Sequence, residues 1–159
     1  MMYKDRMTAT LEGDFVVFLI GMRINQPLKI HKWFPVARAM GRMLTELYAQ
    51  PTLGLLHHEV WFSRTLIQVQ YWRSMEQLLH YAKSKDAEHL PAWRAFHQSV
   101  GLDGCVGIWH ETYAVSPGDH ESVYLNMPAF GLGKAGMLEP ARGARASAAG
   151  RLGKRLENP

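Results

Sequence analysis

His57 and Glu59 stand two residues apart in the stretch LLHHEVW, a spacing that puts both side chains on one face of an extended strand. A carboxylate beside an imidazole orients the ring and balances its charge, which is the pairing a general base needs. Arg23 is a candidate to hold the anion that such a base creates. Trp61, Trp72 and Trp109 can sandwich a flat ring, and Gln68, Gln70, Glu111 and Tyr113 can orient it by hydrogen bonds. These types suit removal of a proton from a phenol or enol held in a pocket.

Other chemistries have less to work with. His57 and His58 are adjacent, so on a strand they point to opposite faces and cannot share a metal. No third residue is spaced to complete a facial triad with His57 and Glu59, and no metal is expected. The single cysteine, Cys105, excludes an internal disulfide and a Cys-rich zinc site, and reads as a packed thiol. Gly131-Leu-Gly133-Lys134 lacks the spacing and the following Ser or Thr of a phosphate loop. Haem needs only one axial histidine and an apolar slot. His97, His89 and His110 are the candidates for that alternative.

The elements that must position these groups follow from periodicity. Residues 15–24 (FVVFLIGMRI) read as a strand, ended by Pro27. Residues 31–50 repeat apolar positions at three and four spacings, a helix stopped by Pro51. Residues 53–63 and 65–73 form a hairpin across Ser63-Arg64. Ser74 caps a helical region running to about Val100 and broken near Pro91. Residues 105–115 form a fourth main strand, and Ser122 to Asn126 a short fifth. The order β-α-β-β-α-β is the ferredoxin-like split βαβ arrangement, an α+β fold with an antiparallel sheet and both helices on one face. The other face would be bare, and the simplest cover is a second copy, a homodimer.

Alternation sorts each strand by face. The aliphatic sets, among them Val16, Phe18, Ile20 and Met22, then Ile67, Val69 and Tyr71, are assigned to the helices. The opposite face then carries Arg23, His57, Glu59, Trp61, Gln68, Gln70, Trp72, Trp109, Glu111 and Tyr113, and would line the pocket or the dimer interface.

The chain has 159 residues and a formal charge of +4, which raises the question of nucleic acid. The charge is local. Residues 137–159 hold five cations and two carboxylates, while every Phe, Tyr and Trp lies before them. We expect a flexible stretch over 1–12, one domain over 13–136 and a disordered basic tail over 137–159, with no nucleic-acid partner. The longest apolar run is too short to span a bilayer and no signal peptide opens the chain, so a cytoplasmic location is expected, with no membrane partner.

Three stretches carry a family resemblance: YWRSMEQLLHYAKSKDAEHLPAWRAFHQ (71–98), GIWHETY (107–113) and ESVYLNMPAFGLGKAG (121–136). Over Gly13 to Gly136 the chain resembles the monooxygenase-like family of the dimeric α+β barrel superfamily. Its relatives include antibiotic-biosynthesis monooxygenases, which oxidise polycyclic aromatics without a cofactor, and haem-containing aldoxime dehydratases. The resemblance implies a homodimer with a central barrel and a pocket in each subunit. It also implies an oxidoreductase acting on a hydrophobic, aromatic or polyketide-like small molecule, whose carbanion would react with dioxygen without a cofactor. The alternatives are a haem enzyme like the aldoxime dehydratases, in which a helical histidine such as His97 or His89 would be the ligand, and a non-catalytic binding barrel.

Overall fold

A computed structural model describes residues 1–84, 87, 89–100 and 103–153, without the side chains of residues 89, 93, 95 and 99. Its main sheet has four antiparallel strands in the order β3-β4-β2-β5: β2 (Phe15–Ile24), β3 (Leu55–Trp61), β4 (Thr65–Trp72) and β5 (Val106–Val115). Three helices, α1 (Ile30–Ala49), α2 (Met75–Lys83) and α3 (His89–Ser99), pack on one face. This is the expected ferredoxin-like α+β arrangement. The predicted break in the second helical region falls before Pro91, which sits in the first turn of α3, where its missing N–H has no partner to lose.

Each element has a local cause. The Ser74 hydroxyl accepts the backbone N–H of Gln77 at 3.1 Å, which caps α2. Val16, Leu47, Leu55, Trp72, Leu78 and Tyr81 form one buried cluster between sheet and helices; Met22, Met40, Leu66, Cys105 and Val106 belong to a second. Each such side chain contributes about 1.5–3 kcal/mol on burial. Cys105 is a buried free thiol, as its type and neighbours suggested.

The ends of the chain correct an expectation. Residues 1–12 and 137–159 read as loose, yet β1 (Met7–Thr10) pairs antiparallel with β6 (Met137–Pro140) in a second, two-stranded sheet. Met7, Ala9, Phe15, Tyr124 and Leu132 form a third core beneath it, which also takes in Val17 and Tyr71 from the bare face of the main sheet. Local composition could not reveal a pairing between segments so far apart in sequence. The tail's cations are also engaged: Arg142 pairs with Asp5, Arg145 with Glu139 and Arg151 with Glu121. Lys154 and Arg155 lie outside the described residues. The fifth strand expected at Ser122 to Asn126 reduces to isolated bridges, Tyr124 to Met7 and, just beyond it, Met127 to Tyr3, with Asn126 (φ +53°) between them. Among the described residues no helix is long and apolar enough to cross a membrane.

Candidate active cleft between the sheet and the helices

The cross-strand register decides which side chains face the helices. Val16 lies opposite Trp72, Phe18 opposite Gln70, Ile20 opposite Gln68 and Met22 opposite Leu66. Gln68, Gln70 and Trp72 therefore point to the helices, with 4%, 6% and 1% of their surface exposed. This overturns their assignment to the opposite face. Ile67, Val69 and Tyr71, which were assigned to the helices, take that opposite face instead. Counting aliphatics misjudged β4 because its glutamines are satisfied inside the core. Trp72 Nε1 donates to Gln70 Oε1 at 2.9 Å, and Gln70 Nε2 donates to Gln68 Oε1 at 2.9 Å. A paired polar group no longer bears the full penalty of burial. A bulge between Leu55 and His57 likewise turns Leu55 into the core while leaving His57, Glu59 and Trp61 on the bare face.

The helices do not fill the sheet face they cover. They leave an open cleft of about 850 Å³, floored by Phe18 and Ile20 of β2 and Ile108, His110 and Thr112 of β5. The walls come from α1, α2 and α3, mostly Met, Leu, Ala and Phe, with Arg38 and Arg42 as the charged members. A smaller recess of about 50 Å³ adjoins it, sharing Phe18, Ile20, Met40 and Met43, and reaches Gln68, Gln70 and Trp72. An apolar cleft of this volume with few polar groups is the usual form of a small-molecule site. The His110 ring lies 5.7 Å from the Phe18 ring, so one edge of its imidazole has an apolar neighbour. Thr112 stands next to it on the same face of β5 and supplies a hydroxyl that can donate or accept.

On the bare face the sequence-predicted residues form separate groups. His57 Nε2 lies 3.0 Å from Glu59 Oε1, so that pair does form. The same carboxylate oxygen accepts the Gly131 N–H at 3.2 Å and pairs with Lys134 at 3.1 Å. Burial pushes the Glu59 carboxyl up, but the hydrogen bonds from His57, Gly131 and Lys134 and the lysine charge outweigh it and hold it below the ordinary value. Phe130 packs edge-on against Trp61, with ring centroids 5.9 Å apart. Glu59 and Trp61 thus seat the segment that leads into α4 (Leu132–Ala135). Gly131 (φ +53°) makes that seating possible, since a β-carbon there would come within 2.9 Å of the Tyr71 hydroxyl.

Arg23 is not brought to His57. It donates to the Thr65 hydroxyl at 3.0 Å, at the other end of the sheet. His57 is level with Val17, six residues back along β2, a separation of roughly 20 Å. Trp109 lies over Gly21, where a β-carbon would come 2.7 Å from its Nε1 and 2.2 Å from the Leu66 carbonyl oxygen. Tyr113 donates to Glu111 at 2.6 Å, and that hydrogen bond, with the carboxylate's charge, raises the phenol's pKa.

Of the three histidines named for haem, His110 lines the cleft, His97 is exposed on α3 with its ring 5.6 Å from that of Phe96, and the side chain of His89 lies outside the described residues. Among the described residues no group of three or more His, Cys, Asp or Glu converges on a metal position. Sequence reasoning missed Thr112, Arg38 and Arg42 as cleft residues. The available signal was the polar pair His110 and Thr112 closing an otherwise aliphatic strand face. It also missed the bond between the Tyr48 hydroxyl and His58 Nδ1, 2.7 Å long. Desolvation, helped by neighbouring His57, lowers the pKa of His58.

Comparison with known proteins follows the same lines. A family model described as Monooxygenase af470-like matches residues 15–132. The curated relative monooxygenase af470 of Aspergillus fumigatus is 27% identical over 132 residues, which are 77% of this chain and 46% of that protein. The chain therefore spans about half the length of the relative it matches. Two crystal structures of aldoxime dehydratases superpose with a TM-score of 0.64 at 16% identity, over 84% of this chain and 40% of that one, and 0.62 at 15% identity, over 77% and 37%. The second of these holds butyraldoxime. At such identities the likeness is one of fold.

Proposed function

The chain belongs to the monooxygenase af470-like family, and from that premise we propose that it oxidises a small hydrophobic ring compound held in the cleft between sheet and helices. The observation that carries this reading is the cleft: about 850 Å³, walled by Met, Leu, Ala and Phe, with His110 and Thr112 on its floor. Aromatic and polyketide-like phenols or enols are the substrate class that such a site favours. The apolar walls bind the rings, and a few polar groups orient them.

The chemistry proposed needs a proton acceptor more than a metal. His110, on the cleft floor, takes the proton from the phenol or from the carbon next to its carbonyl. The electron-rich anion gives electrons to dioxygen. One oxygen atom enters at the ring carbon, the other leaves as water, and a CH2 group becomes C=O. Arg38 and Arg42, which line the same cleft, are assigned to balance the developing negative charge. His57 and Glu59 are assigned a supporting role, seating residues 130–136. In the proposed assembly a second copy covers the part of that face bearing Leu19, Ile67 and Val69, beyond the third core, so that the protein works as a homodimer.

A second reading rests on His110 as well. In an apolar cleft of this volume His110 would supply the nitrogen that holds a haem, and arginines on the wall would face its carboxylates. When bound, haem would supply the redox chemistry, and the chain's own residues would hold it and its substrate.

The test is conversion of a panel of phenols and anthrones with and without dioxygen, followed by mass spectrometry. Oxygen-dependent product supports the oxygenase reading, and absence of product with every bound ligand overturns it. Titration with hemin separates the second reading, which requires a Soret shift that is lost in His110→Ala.

A further inference from the structure

The buried amide ladder on β4 has a direction, and the direction has a consequence for the ligand. An indole nitrogen only donates. Trp72 Nε1 therefore requires Gln70 to turn its oxygen toward it, at 2.9 Å. That places Gln70 Nε2 toward Gln68, which must answer with its own oxygen, also at 2.9 Å. Flipping either amide would set oxygen against oxygen or N–H against N–H, so the usual ambiguity of glutamine orientation is removed by the tryptophan. What remains at the end of the chain is Gln68 Nε2, a donor.

Among the described residues that nitrogen has no hydrogen-bond partner, and it is not sealed away from all accessible space. Gln68 as a whole is only 4% exposed. It lines the recess of about 50 Å³ beside the main cleft, whose other walls include Phe18, Ile20, Met40 and Leu78. Facing a recess rather than packed protein, this donor is free to take an acceptor that enters from the cleft. The recess has room for a group the size of one or two waters, not for a ring.

We propose that Gln68 is the specificity-determining donor of the cleft. Its Nε2 receives an oxygen acceptor of the substrate, a ketone, quinone or phenolate oxygen, which enters the recess while the apolar rings stay in the main cleft. Gln70 and Trp72 are positioning residues that hold the donor outward. Hydrocarbons of the same shape are disfavoured, because they leave the donor unpaired. In the oxidation proposed above, the same N–H stabilises the oxygen as the anion forms. This inference rests on the cleft being the binding site.

The experiment uses two probes that differ only by the acceptor, 1-tetralone and tetralin, titrated calorimetrically into the full chain. We expect Gln68→Leu to shift the ratio of their affinities toward tetralin by about tenfold or more, the worth of one buried hydrogen bond. Gln68→Met removes the donor while keeping a flexible side chain of similar length, and shifts the ratio the same way. It serves where Gln68→Leu does not fold, as judged by circular dichroism. A ratio unchanged within about twofold in the folded variants overturns the role of Gln68 but leaves the cleft intact. Failure of the wild-type chain to bind either probe overturns the cleft reading, and this inference with it.

Discussion

Replacing Gln70 by leucine tests whether β4 presents its glutamines to the helices. Gln70 is 6% exposed and bonded on both sides, at 2.9 Å to Trp72 and at 2.9 Å to Gln68. Leucine fills similar space but orphans Trp72 Nε1 and Gln68 Oε1, each at about 1–3 kcal/mol. Its own burial returns about 1 kcal/mol. The expected destabilisation is therefore about 1–5 kcal/mol. Trp72→Phe in the Gln70→Leu background removes one of the two orphans, so the two costs fall short of additivity by about 1 kcal/mol. Urea denaturation at fixed protein concentration reads both quantities as a shift of midpoint at constant slope. A loss below about 0.5 kcal/mol for Gln70→Leu, the level of an ordinary surface change, with no coupling to Trp72→Phe, refutes the ladder and the placement of β4.

Three further outcomes are expected. Thr112→Trp projects a ring into the cleft from an exposed position of β5; it should lower affinity for ring ligands at least about tenfold while leaving the urea midpoint unchanged, and unaltered binding places the site elsewhere. Glu59 is held below its ordinary pKa of 4.5, so its contribution to stability is full above that value and is lost as pH falls through the folded-state value. Urea midpoints between about pH 5 and pH 3 should therefore fall less steeply in Glu59→Gln than in wild type. Leu19→Arg, on the face away from the helices between Val69 and Glu111, should convert a dimer into a monomer in sedimentation velocity; a monomeric wild type at micromolar concentration sinks the proposed assembly.

The element order was legible because it is written in local periodicity. Residues 15–24, the α1 helix, the hairpin and the capped start of α2 all follow from spacing and turn residues. The pairing of His57 with Glu59 followed from strand alternation alone. Three features were not legible, for identifiable reasons. The face of β4 turns on whether Gln68 and Gln70 find partners, and a strand read alone cannot show that Trp72 supplies one. Leu55 is turned inward by a bulge that alternation cannot anticipate. The β1–β6 sheet joins segments at opposite ends of the chain, one of them beginning a stretch otherwise rich in Ala, Gly and Arg. The candidate site suffered most from this. The sequence suggested a pocket or a dimer interface on the bare sheet face, while the cleft lies under the helices, where His110 had been weighed only as a haem ligand.

Dioxygen uptake during anthrone oxidation, measured alongside the anthraquinone formed, tests the central claim most directly. The account predicts one dioxygen consumed per quinone with the wild-type chain, and uptake reduced to the uncatalysed rate in both His110→Ala and Thr112→Trp. Uptake at the uncatalysed rate in the wild type, or full activity in the variant whose cleft is blocked, would contradict it.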